Sequence, residues 1–118
     1  MRIAVLLIGL VVFFLLWKNI APKSTPTPTI DFDKAIVIDV RSPEEFAGGH
    51  IKNAVNLPID TITEAELLSL ASKDQPIVLY CHSGGRASMV HRRMTDWGFS
   101  TVYNLKTQSG VKNAMNLP

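Results

Sequence analysis

Short apolar, β-branched runs that do not alternate with polar residues constrain this chain most. Ala35-Ile36-Val37-Ile38-Asp39-Val40 and Ile77-Val78-Leu79-Tyr80 are the clearest. A strand with one wet face alternates, so runs of this kind predict strands covered on both faces. Ala54-Val55-Asn56-Leu57 repeats the character more briefly, and Thr101-Val102-Tyr103-Asn104-Leu105 supplies a further strand. Helical patterns lie between them. Thr63 to Ala71 follows a threonine cap at Thr61 or Thr63. From Arg86 onward Ala87, Val90, Met94 and Trp97 recur at helical spacing until Gly98 stops the helix, with Met94 and Trp97 assigned to the core. The alternation predicts an α/β fold, a small mostly parallel sheet with helices on both faces. Ligands of such sheets bind beyond the carboxyl ends of the strands.

The N-terminus is of another kind. From Ile3 to Trp17 the chain is continuously apolar, with no polar face for a soluble helix to turn to water. Continued past Lys18 and Asn19 to Ala21, such a helix reaches about 30 Å, enough to span a bilayer core. Trp17 and Lys18 read as interfacial anchors. Asn19 and Ile20 before a cut after Ala21 do not form the small-residue pattern that signal peptidases favour. Residues 1–21 are therefore read as a retained signal anchor, with a cleaved, secreted form as the alternative. Arg2 and the α-amino group balance Lys18 and Lys23, so the positive-inside rule nearly cancels. A short N-terminal tail left inside would put the domain on the exported, extracytoplasmic side. Residues 22–30, rich in alternating Pro and Thr, form an extended linker. Residues 31–118 remain for one small domain.

The net charge of +2 is small, and its Lys and Arg residues are scattered, which argues against a nucleic-acid partner. The single cysteine, Cys81, excludes an intramolecular disulfide framework and a resolving thiol. His50, His82, His91 and Cys81 lack the short spacings of a zinc site, so no metal is expected. Nothing implies a cofactor.

Cys81 ends an apolar strand and opens Cys81-His82-Ser83-Gly84-Gly85-Arg86, with a helix starting just behind. A helix N-terminus, an arginine and converging backbone N–H groups are the surroundings that favour a reactive thiolate. Gly84 and Gly85 would permit backbone angles that a side chain penalises, so that the amides form an anion-binding nest. His82 and Ser83 would face the mouth, and Arg86 would orient an anionic donor at the rim. Asp39 and Arg41 lie at a neighbouring strand end, where an acid and a base commonly tie down loops. His50 more often orders a turn than touches substrate.

The segment has the form Cys-x-x-Gly-x-Arg and resembles the active-site loop of single-domain rhodaneses, sulfurtransferases that carry sulfur as a cysteine persulfide. Two upstream segments are also similar to that family. Ile38-Asp39-Val40-Arg41-Ser42-Pro43-Glu44-Glu45-Phe46 resembles its first strand and turn, and Gly49-His50-Ile51 with Ala54-Val55-Asn56-Leu57-Pro58 its second signature. The likeness runs from about Asp33 to Leu105.

The resemblance implies a rhodanese-like fold and transfer of a sulfane sulfur from a thiosulfate-like donor to a nucleophilic acceptor through Cys81. It also gives Asp39 and Arg41 a supporting role. Small sulfur-containing anions would be the partners, with a thiol or an acceptor protein taking the sulfur. Two alternatives stand beside this reading. One is a membrane-tethered non-catalytic or redox-partner module on the same fold. The other is a cysteine phosphatase or arsenate reductase, whose related loop places five residues between Cys and Arg where this chain has four. After its last strand the chain departs from the family: Lys106-Thr107-Gln108-Ser109-Gly110-Val111 stands where a Gly-Gly pair and an aromatic are frequent. The final helix is expected to be short, because the sequence ends at Pro118.

Overall fold

The computed structural model describes residues 2–19 and 29–118. The strands β1 (Ile36–Asp39), β2 (Val55–Asn56), β3 (Ile77–Cys81) and β4 (Val102–Thr107) form one sheet in the order β2-β1-β3-β4. All three pairings are parallel. Around it lie the helices α2 (Pro43–Ala47), α3 (Glu64–Leu70), α4 (Gly85–Asp96) and α5 (Gln108–Ala114). The expected α/β architecture is therefore present. β3 is buried at every residue, as its unbroken apolar run requires.

Two apolar clusters cover the two faces. On one, Ile38, Leu79 and Val40 pack with Leu67 of α3 and with Ala87, Val90 and Met94 of α4. On the other, Val78 and Tyr80 pack with Ile51 and with Val111 of α5. Ile30 and Phe32 also rest on this second cluster, so the packed domain takes in Ile30, the last residue assigned to the linker. Met94 is fully buried, whereas Trp97 is only half-buried, at the C-cap of α4. Gly98 follows with φ +89°, the left-handed conformation that ends the helix.

Some boundaries differ from the sequence expectation, each for a local reason. α2 occupies what reads as a turn. Ser42 caps it, its hydroxyl accepting from Glu45 N at 3.2 Å while Glu45 reaches back to Ser42, and Pro43 starts its first turn. α3 is capped by Thr63 and not Thr61. β4 runs two residues past Leu105, through a register shift opposite Leu79 and Tyr80 that pairs Tyr80 with Lys106 and Cys81 with Thr107. α5 then starts at once, capped by Thr107. It has seven residues and lies so close to β4 that a Cβ on Gly110 would fall on the Leu105 carbonyl.

At the N-terminus α1 (Arg2–Asn19) is a helix of 18 residues. Its described side chains, residues 8–16, are all exposed. Among the described residues no helix is long and apolar enough to cross a membrane. Most of the linker, the cleavage position after Ala21 and the side chains of Trp17 and Lys18 lie outside the described residues.

Candidate active site

The strand order reverses direction at β1: the next strand, β2, lies on one side of it and β3 on the other. That is the switch point where open parallel sheets form a crevice. Cys81 is the last residue of β3, and Asp39 the last of β1, with Arg41 two residues on. Topology thus brings together two of the segments singled out in the sequence.

Cys81 is 1% exposed, and its sulfur is met from the helix side by backbone donors. Gly84 N–H points at Sγ at 3.0 Å and Ala87 N–H at 3.5 Å. The loop reaches this geometry because Gly84, the N-cap of α4, sits at φ +98°, where an L side chain is strained. Gly85 is different. It has no positive φ, starts the helix, and has open space where a Cβ would lie. The conformational freedom expected of both glycines is used at Gly84 alone. His82 and Ser83 are exposed. A polar cavity of about 210 Å³ opens beside the thiol, bounded by Arg41, Cys81, His82, Thr107, Gln108 and Ser109. A larger cavity of about 450 Å³ lies nearby, walled by Val40, Pro43, Pro58, Ile59 and Met89, and reaches Arg86 but not Cys81.

Both arginines of the site are committed to carboxylates. Arg41 Nε lies 3.0 Å from each oxygen of Asp39, and its Nη2 lies 2.7 Å from Asp39 Oδ2. The hydrogen bond to Asp39 holds the Arg41 guanidinium charged, above its ordinary range, against the opposing effect of burial. Asp39 also accepts from Arg41 N at 2.9 Å, and Arg41 Nη2 donates to Gly49 O at 2.7 Å. The pair thereby fastens the β1 end to the following loop, a supporting geometry in which both charges are largely buried and paired. The Arg41 guanidinium lies over the ring of Tyr80, 5.7 Å from its centre. Burial pushes the Tyr80 phenol up to about 12, and its neutral oxygen accepts from Ile51 N at 3.1 Å.

Arg86 does not face the cavity beside the thiol. Its Nη1 and Nη2 meet the two oxygens of Glu45 at 2.7 and 3.0 Å, a two-pronged pair that ties α4 to α2. Hydrogen bonding to Arg86, helped by Ser42, lowers the Glu45 carboxyl to about 2, and the same contact raises Arg86. Glu45 is the residue that sequence reasoning missed as part of the site. The Ser42-x-x-Glu45 capping pattern was a readable signal for its placement, although its pairing with a residue 41 positions away was not. His50 is exposed, stacks on Phe46 with ring centres 3.6 Å apart, and places Nδ1 2.8 Å from the Phe46 carbonyl, which accepts from it. These contacts hold His50 against the end of α2, and it does not line the cavity beside the thiol.

Comparisons with known proteins find relatives of this chain and of its fold. A model of the rhodanese-like domain matches residues 28–108. The chain is 34% identical over 116 residues to an uncharacterised protein of Buchnera aphidicola, the match covering 92% of this chain and 78% of that protein. It is 29% identical over 89 residues to the thiosulfate sulfurtransferase GlpE of Pseudomonas entomophila, covering 75% of this chain and 78% of that enzyme. Across the first curated relatives the chain spans 58% to 78% of their length. Among solved structures, a rhodanese-like domain from Anabaena superimposes with a TM-score of 0.60 at 26% identity, covering 70% of this chain and 94% of that domain.

Proposed function

Taking as premise that this chain belongs to the rhodanese-like domain family, we propose that it is a sulfurtransferase working through a persulfide on Cys81. The observation that carries the reading is the pair of amide N–H groups aimed at a buried sulfur, Gly84 at 3.0 Å and Ala87 at 3.5 Å, beside a small polar cavity. That arrangement suits an anionic sulfur before and after loading. The Cys81 thiolate attacks the outer sulfur of a thiosulfate-like donor. A new S–S bond forms, the donor's S–S bond breaks, and sulfite leaves with the electron pair. A nucleophilic acceptor, a thiol or cyanide, then attacks the terminal sulfur and Cys81 departs as thiolate. Arg86 serves this cycle by holding the first turn of α4 against Glu45, and Asp39 with Arg41 by holding the β1 loop.

Intact mass of the full chain, before and after thiosulfate and then after cyanide, tests the reading. One sulfur atom gained and then lost as thiocyanate, and neither step in Cys81→Ser, is the expected result. No sulfur gained from thiosulfate or from another sulfane donor would overturn it in favour of a binding module. The same proposal includes anchorage through α1 with the domain on the exported side. It is supported by the apolar run from Ile3 to Trp17 and by the exposure of large side chains such as Ile8, Leu10 and Leu16. Release of the full chain from membranes by alkaline carbonate would refute that part alone.

A further inference from the structure

Lys106 adopts φ +72°, a left-handed conformation that a lysine takes only against strain, while glycine takes it freely. The strand is bent there by the register shift of β4, and the bend is stapled by Asn104, whose Oδ1 accepts from Lys106 N at 2.9 Å. The result is a lysine turned onto the thiol loop. Its Cβ and Cγ lie 3.1 and 3.3 Å from where a Gly84 Cβ would be, over the residue whose N–H meets Cys81 Sγ. The next three residues, Thr107, Gln108 and Ser109, form one wall of the cavity beside Cys81 and carry no charge. Lys106 itself is exposed.

Charge accounting at the mouth gives this position its meaning. Arg41 is spent on Asp39 and Arg86 on Glu45. The remaining ion pair among the described residues joins Lys73 to Glu64, so the Lys106 ammonium carries none there. A strained backbone held by a specific hydrogen bond, laying the stem of a lysine without an ion pair against a reactive loop, is a reason to assign that cation a role. We propose that Lys106 is the residue that recruits anionic donors to Cys81, in place of the two committed arginines. The inference rests on the sulfurtransferase reading for the identity of the donor, but the charge effect itself can be read without sulfur transfer.

Alkylation of Cys81 separates the two. Iodoacetate is an anion and iodoacetamide its neutral counterpart, and both report on the same thiolate. In the full chain, the ratio of their second-order rates at low salt is expected to fall about threefold in Lys106→Gln, from the loss of one exposed charge beside the thiol loop. Lys106→Arg should keep the wild-type ratio. Added salt should bring the wild-type ratio down to that of Lys106→Gln. The iodoacetamide rate guards against a mere change in loop shape, since a structural effect would move both reagents together. Equal ratios in wild type and Lys106→Gln overturn the proposal. A ratio that falls as expected, in a protein that gains no sulfur from any donor, supports the recruiting role and overturns the sulfurtransferase reading alone.

Discussion

Gly84→Ala and Gly85→Ala alter adjacent residues of one loop, yet the structure assigns them opposite consequences. At Gly84, an alanine must hold φ +98°, which costs about 1–2 kcal/mol for an L residue. Its Cβ would also sit 3.1 Å from Lys106 Cβ, closer than ordinary contact, which adds roughly 1 kcal/mol of crowding unless the lysine shifts. Restriction of the unfolded chain returns about 0.4–1 kcal/mol. The net expectation is a loss of about 1–2.6 kcal/mol, the balance of those figures. Gly85 starts α4 with no positive φ and nothing within 4 Å of a new Cβ, so alanine there should be neutral or stabilising. Its helix preference contributes up to about 1 kcal/mol. Urea unfolding followed by tryptophan fluorescence measures both, provided the m-values stay equal. Iodoacetamide reactivity of Cys81 adds a local readout, which should change in Gly84→Ala, whose N–H meets the sulfur, and hold in Gly85→Ala. Equal losses in the two variants, or an unperturbed Gly84→Ala, would refute the loop geometry on which the site depends.

Two further predictions concern the paired charges. Asp39→Asn leaves the Arg41 side chain, only 8% exposed, without its carboxylate, and is expected to cost about 3–5 kcal/mol in a urea titration; a loss under about 1 kcal/mol would show that the pair is not what holds the β1 loop. Glu45 has its carboxyl pKa lowered from 4.5 to about 2, so its contribution to stability is present above 4.5 and is lost as pH falls towards 2. The unfolding midpoint of the wild type should therefore drop more steeply across that window than the midpoint of Glu45→Gln, and parallel slopes would contradict the Glu45–Arg86 pair.

What the sequence made legible follows the range of the interactions. β1 and β3 were visible because burial on both faces leaves an unbroken apolar run, and α4 because Ala87, Val90 and Met94 keep helical spacing on its buried face. The turn that delivers Cys81 was visible from Gly84. The assignment to Gly85 failed because composition shows that a residue is permissive, not that the backbone uses the permission. α2 escaped notice because five residues are too few to show a period, although its capping box was present. The role expected of Arg86 changed for a different reason. Its partner Glu45 and its loop meet only after the sheet has formed, and no local pattern encodes a contact of that range. Lys106 was hidden likewise, since a left-handed lysine leaves no compositional mark where a glycine would.

The strand order has a consequence for how the site comes into being. Parallel neighbours cannot be joined by a hairpin, so β1 finds β3 only after the intervening chain, with β2 and α3, has closed as a long loop. Closures of this kind are the slow part of folding. Cys81 gains its companions from β1 in that same event, and its burial with it. On a refolding time course, protection of the lone thiol from a small reagent would then rise with the final assembly of the sheet and not with the earlier formation of α4. The chain carries its own single-site clock for the step that completes the domain.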